Sequence, residues 1–270
     1  MPKNLYLRLA ARERDRRTNV ALGAILATVA GAINAGGFLA VHRYTSHMTG
    51  IVSEIADSLV LGQMAYAMAG LSSLIAFMLG AATTAALVNW ARRQDLHSEY
   101  AIALLVEALL LVLFGVLGAN LELLVDVFVP STVLLLCFLM GLQNAMITKV
   151  SKSEIRTTHL TGVVTDLGIE IGRMLYWNRP EPGQSLPPVK ADRRKLKLLC
   201  LILAGFFLGG LVGAWAFSHI GFSATLPIAA LLVALALPPL WRDLQRLMPS
   251  RNAATPSPST SKSSNTRPLP

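Results

Sequence analysis

The chain has 270 residues, of which 53% are hydrophobic and 14% charged, with a formal net charge of +9. Soluble domains carry about a quarter charged residues, so this composition, with a mean hydropathy of +0.53, excludes an ordinary globular protein and indicates an integral membrane protein. The positive balance does not indicate nucleic acid, because the Lys and Arg residues flank apolar runs instead of forming a stripe interleaved with aromatics.

The chain opens with Lys3, Arg8, Arg12, Arg14, Arg16 and Arg17 ahead of an apolar run. That pattern is also the start of a signal peptide, but a repeated motif begins inside the run, so no cleavage is expected. A bilayer-crossing helix needs about 20 apolar residues. Six segments meet this, roughly at 19 to 41, 65 to 89, 100 to 119, 129 to 148, 198 to 218 and 223 to 241. No alternating strand pattern occurs, so the fold class is all-α membrane. The expected organisation is a basic amino terminus (1–18), a first membrane repeat (19–119), a second (120–241) with a Pro-rich linker at 176–197, and a disordered tail (242–270) rich in Ser, Pro and Thr.

Basic residues in short loops set orientation. They cluster at the amino terminus, at Arg92 and Arg93, across 149–197, and at Arg242, Arg246 and Arg251, while 43–63 holds only Arg43 and 119–128 holds Glu122 and Asp126. Both termini are therefore expected in the cytoplasm.

An internal duplication underlies the spans. Thr45, His47, Thr49, Gly50 and Glu54 recur 112 residues later as Thr157, His159, Thr161, Gly162 and Asp166, and Gly-x-x-Asn-Ala precedes each copy, at Gly31–Ala35 and Gly141–Ala145. Phe77-Met78-Leu79-Gly80 likewise parallels Phe206-Phe207-Leu208-Gly209. Three crossings per repeat make the second copy inverted relative to the first. Such repeats are characteristic of secondary transporters, whose sites lie where broken helices of the two halves meet.

Segments 45–62 and 157–175 are too polar for lipid-exposed spans, yet each reads as a helix start followed by an apolar-periodic stretch. Each is expected to form a short re-entrant or interfacial half-helix, with Thr49 and Thr161 as candidate amino-terminal caps and Gly50 and Gly162 permitting close approach. Such helix starts suit an anionic group; the same hydroxyls can equally satisfy the turns themselves.

Candidate solute-binding residues are Asn34, Thr45, His47, Thr49, Asn144, Thr157, His159 and Thr161, with Asn34 and Asn144 serving either a substrate or a structural clamp. Glu54 and Asp166 follow their histidines by seven residues, two helical turns, and form either a proton relay or salt-bridged scaffolding. Glu107, inside the apolar run Leu104–Leu109, is an intramembrane carboxylate and a candidate coupling group, or else a hydrogen-bond anchor. Gly205, Gly209 and Gly213, echoed by Ala76, Gly80 and Thr84, favour close helix packing within the chain, or alternatively a homodimer seam. Trp90, Tyr100, Trp177, Trp215 and Trp241 read as interfacial anchors. Neither Cys137 nor Cys200 has a metal or disulfide setting. No phosphate loop, nucleophile elbow or zinc helix occurs, so neither catalysis nor a metal or other cofactor is expected.

The paired Gly-x-x-Asn-Ala and Thr-x-His-x-Thr-Gly elements resemble the YoaK-like bacterial family of six-span inner-membrane proteins, a domain of unknown function, over about residues 20 to 241. Many relatives, as the resemblance implies, carry Asn after the first Thr-Gly, where this chain has Ile51. The resemblance implies the membrane fold and no substrate. The expected function is a permease or secondary transporter of a small solute working by alternating access; the alternative is a non-transporting sensor, scaffold or assembly protein.

Overall fold

The computed structural model describes residues 16–96, 98–120, 125–150, 160–178 and 187–247. These form eight α-helices: α1 (Arg16–Val41), α2 (Met48–Val60), α3 (Met64–Arg93), α4 (Ala101–Ala119), α5 (Val125–Val150), α6 (Leu160–Leu175), α7 (Arg193–Ile220) and α8 (Thr225–Leu247), with a 3-10 turn at Gly221–Ala224. Among the described residues there is no strand. Helix is what lipid demands, because it satisfies backbone groups within the segment. Residues 248–270 of the expected tail and 179–186 of the expected linker lie outside the described residues, whereas 242–247 of that tail and 193–197 of that linker are helical.

Five uninterrupted stretches are long and apolar enough to cross a membrane: Thr18–Val41, Met64–Arg93, Ala101–Ala119, Val127–Lys149 and Arg193–Gln245. The fifth, 53 residues long, would extend about 80 Å as one straight helix, against about 30 Å of hydrocarbon. It does not run straight. Gly221 adopts φ 61°, ψ −148°, a conformation open to glycine and little else, and there the chain passes from α7 to α8. The last two segments expected from sequence therefore fall within one apolar stretch broken by one glycine. The helix of α8 also continues past the expected end, through Pro238 and Pro239 to Leu247.

Burial separates inner from outer helices. About half of the α1 span is buried, against 22% of the α3 span. Leu22, Leu26 and Ile33 of α1, Leu104 and Leu111 of α4, and Leu136, Leu139 and Leu142 of α5 are fully enclosed. Met68, Ile75, Met78 and Leu79 of α3, and Phe207, Leu208, Leu211 and Val212 of α7, are exposed. An apolar surface of this extent fits contact with lipid tails.

The dominant pairings are α1 with α7, α3 with α5, and α4 with α8. In the first two, backbones meet at glycine. A side chain at Gly31 would run into the Phe206 carbonyl, and one at Gly141 into the Phe77 carbonyl; one at Gly80 would strike the Phe138 carbonyl, and one at Gly209 the Thr28 carbonyl. Gly213 lies against Ala32, and the Thr84 hydroxyl donates to the Leu142 carbonyl at 2.8 Å. The small-residue stripes are thus occupied by packing within the chain.

Candidate functional site

The short helices α2 and α6 form where half-helices are expected, but their starts differ from expectation. The first residue of α2 is Met48, so its cap position is His47, which makes no side-chain capping bond. The turn decides this: His47 N–H donates to the Tyr44 carbonyl, and the His47 carbonyl already accepts from Ile51. Thr49 is therefore inside the helix and is not the cap. Thr161 is likewise inside α6, which begins at Leu160, and its carbonyl accepts from the Thr165 hydroxyl at 2.7 Å. Thr157 and His159 lie outside the described residues.

The α2 helix lies against α3 because Gly70 leaves room for Ile55 and Ile51. Between α2, the opening turns of α3, and α5 is a cleft of about 240 Å³, reached by Thr45, His47, Glu54, Ser73 and Cys137. His47 lies over Gly50, where any side chain would meet its imidazole. Thr45 is buried and Thr49 exposed, so only the first of these hydroxyls lines the cleft. Ser73, nine residues into α3, lies about 14 Å along that helix, so the cleft reaches towards mid-span. Its floor is Ser73 and Cys137, the lining residues farthest along α3 and α5, and the Ser73 hydroxyl donates to the Ala69 carbonyl at 2.9 Å.

Arg43 holds Glu54 at the cleft with two contacts, Nη2–Oε1 at 2.9 Å and Nη1–Oε2 at 3.3 Å. Asn34 of α1 anchors the entry turn, its Oδ1 accepting from the Ser46 hydroxyl at 2.8 Å. Asn144, equivalent in the second half, is half-buried in α5, and its main-chain carbonyl accepts from the Thr148 hydroxyl at 2.8 Å. Asp166 of α6 pairs with Lys195 Nζ at 3.1 Å. Both repeated carboxylates are therefore salt-bridged.

Glu107 differs from both. It is fully buried, and neither carboxylate oxygen has a partner among the described residues. Its level follows from the Tyr100 hydroxyl, 3.4 Å from the Lys149 carbonyl. Glu107 lies seven residues beyond Tyr100 on α4 and Gln143 six before Lys149 on α5, so both are about 10 Å from that contact. Gln143 Oε1 is also buried without a partner, while its Nε2 donates to the Leu26 carbonyl at 3.4 Å. This polar level lies towards the carboxyl-terminal end of α5, whereas the cleft is lined by Val133 and Cys137 in its amino-terminal half.

Tyr100 is buried and also accepts from Arg92 at 3.0 Å, so it is an internal tie and not an interfacial anchor. Trp90, Trp177, Trp215 and Trp241 are exposed. Sequence reasoning missed Arg43, Ser73 and Cys137 as parts of these arrangements. Arg43 carried a signal, being the one basic residue of segment 43–63.

An all-helical, multi-span membrane protein is the class that the fold defines. The chain belongs to the family described as "Protein of unknown function (DUF1275)", whose profile matches residues 22–237, in keeping with the YoaK-like resemblance. No curated protein and no solved structure matches it.

Proposed function

We propose that the protein is a permease or secondary transporter of a small solute in the inner membrane, with six crossings, both termini in the cytoplasm, and two inverted halves that give alternating access. The observation that carries this reading is the cleft formed by Thr45, His47, Glu54 and Ser73, whose lining runs from the turn at Arg43 and Tyr44 to Ser73 and Cys137 inside the long helices. The exchange of glycine contacts, Gly31 with Phe206 and Gly141 with Phe77, supports a two-fold relation between halves that could rock about their crossings. Glu107 is the coupling group in this reading, since an unpartnered carboxylate inside a span is costly and marks function by default. The repeated residues Thr157, His159 and Thr161 are the counterparts of Thr45, His47 and Thr49 in this reading. No catalytic step is assigned.

Purified protein in proteoliposomes, with an entrapped pH-sensitive dye and a broad panel of small polar solutes, tests this. At least one solute should move protons, and Glu107→Gln should abolish that movement while the protein remains folded. A panel that neither accumulates nor moves protons would leave a non-transporting membrane protein. Orientation is tested by Ser46→Cys and Thr158→Cys in a background lacking Cys137 and Cys200. The two thiols should label from opposite faces; labelling from one face would remove the inversion.

A further inference from the structure

The basic groove between the end of α6 and the start of α7 stands apart from the solute cleft. It has a volume of about 630 Å³ and is lined by Arg173, Lys190, Arg193 and Arg194, with Asp192 as the one carboxylate. Asp192 is occupied: its side chain caps α7, accepting from Arg194 N–H at 2.8 Å and Lys195 N–H at 3.1 Å. Arg173 is held by Glu170 at 2.8 Å. Among the described residues no carboxylate pairs with Lys190, Arg193 or Arg194, so three cations converge on the groove uncompensated. Its shape is also fixed. Asn178 is bonded to both the N–H and the carbonyl of Val189, at 2.8 and 3.0 Å, which draws the two arms together.

We propose that this groove binds the phosphate-bearing headgroup of an anionic lipid. Phosphate is the shared chemistry, and clustered Arg and Lys are its usual recognition. A lipid is favoured over a free anion by what surrounds the charge. Met174 and Tyr176, both exposed, line the groove, Leu175 and Trp177 beside them in the chain are exposed by 75% and 82%, and α7 runs from Arg193 into an apolar stretch. A basic pocket lined by an exposed tyrosine, next to an exposed tryptophan and at the start of a long apolar helix, puts headgroup and acyl chain on adjacent surfaces. The reading needs the membrane assignment but not transport.

The test titrates full-length detergent-solubilised protein with short-chain phosphatidylglycerol, short-chain phosphatidylcholine or inorganic phosphate, and reads thermal stabilisation. Phosphatidylglycerol should stabilise the protein at concentrations where the other two do not. Arg193→Gln with Arg194→Gln should weaken that binding roughly 30-fold, the equivalent of about 1 kcal/mol per basic residue. Arg193→Lys with Arg194→Lys should keep most of it, and Arg93→Gln with Arg242→Gln, an equal charge loss elsewhere, should change it less than about two-fold. Unchanged affinity in the first pair, or an equal loss in the Arg93 and Arg242 pair, overturns the groove as a site. Equal stabilisation by inorganic phosphate overturns the lipid and leaves a soluble-anion site.

Discussion

The two half-helices carry the same motif and are secured by different means. After α2 the chain turns into α3 through three residues, 61–63, whereas after α6 it reaches α7 only through 176–192. In the first half the N–H of Gln63, the cap of α3, donates to the backbone carbonyl of Ser58 at 2.8 Å. In the second the N–H of Asp192, the cap of α7, donates to the carboxylate of Glu170 at 2.8 Å. Ser58 and Glu170 are equivalent positions, and both are buried. Loop-closure entropy for the longer connection exceeds that of the shorter by about 1.5 kcal/mol. A buried charge-assisted hydrogen bond contributes about 1.5–3 kcal/mol, enough to offset the difference. A backbone bond suffices where the turn is tight; a charged side chain replaces it where the connection is long.

The largest effects should come from what the halves share. Gly80→Leu and Gly209→Leu each force a backbone crossing apart, and each should lower the stability of the detergent-solubilised protein by about 3 kcal/mol or more. Equal losses in thermal unfolding would support equivalent crossings; tolerance of one would break the correspondence. Smaller and unequal effects should come from the staples. Glu170→Gln should cost about 2 kcal/mol and make the 176–192 connection more sensitive to protease, while Ser58→Ala, which keeps the carbonyl that does the work, should cost less than about 0.5 kcal/mol. The smallest should come from the exposed ion pairs. Glu54→Gln and Asp166→Asn should each change stability by less than about 1 kcal/mol, so any large loss of solute movement in Glu54→Gln reports on the cleft itself.

The sequence made the repeated elements legible because the residues that permit close backbone approach are distinctive types at fixed spacing. Gly31, Gly80, Gly141 and Gly209 stand in matching motifs, and all four lie at crossings. Helix starts were less legible, since Thr49 is a favoured cap type and only the turn from Tyr44 puts the start of α2 just after His47. The cleft floor was not legible. Ser73 and Cys137 are ordinary residues within apolar spans, and their meeting depends on α3 packing against α5, a long-range fact absent from local pattern. Glu107 was legible as an anomaly, although its lack of partners depends on the packed interior.

The crossings also bear on how the protein is made. The helix α1 is synthesised well before α7, its most extensive neighbour, so its glycine-lined groove stays open until the chain has been synthesised past Gly213. The surface of α3 that receives α5 waits in the same way, though for less time. The nascent protein therefore spends most of its synthesis with backbone-lined grooves facing lipid or the insertion machinery. Truncation anywhere before α7 leaves the earliest helix without its principal packing surface, a state suited to recognition by membrane quality control.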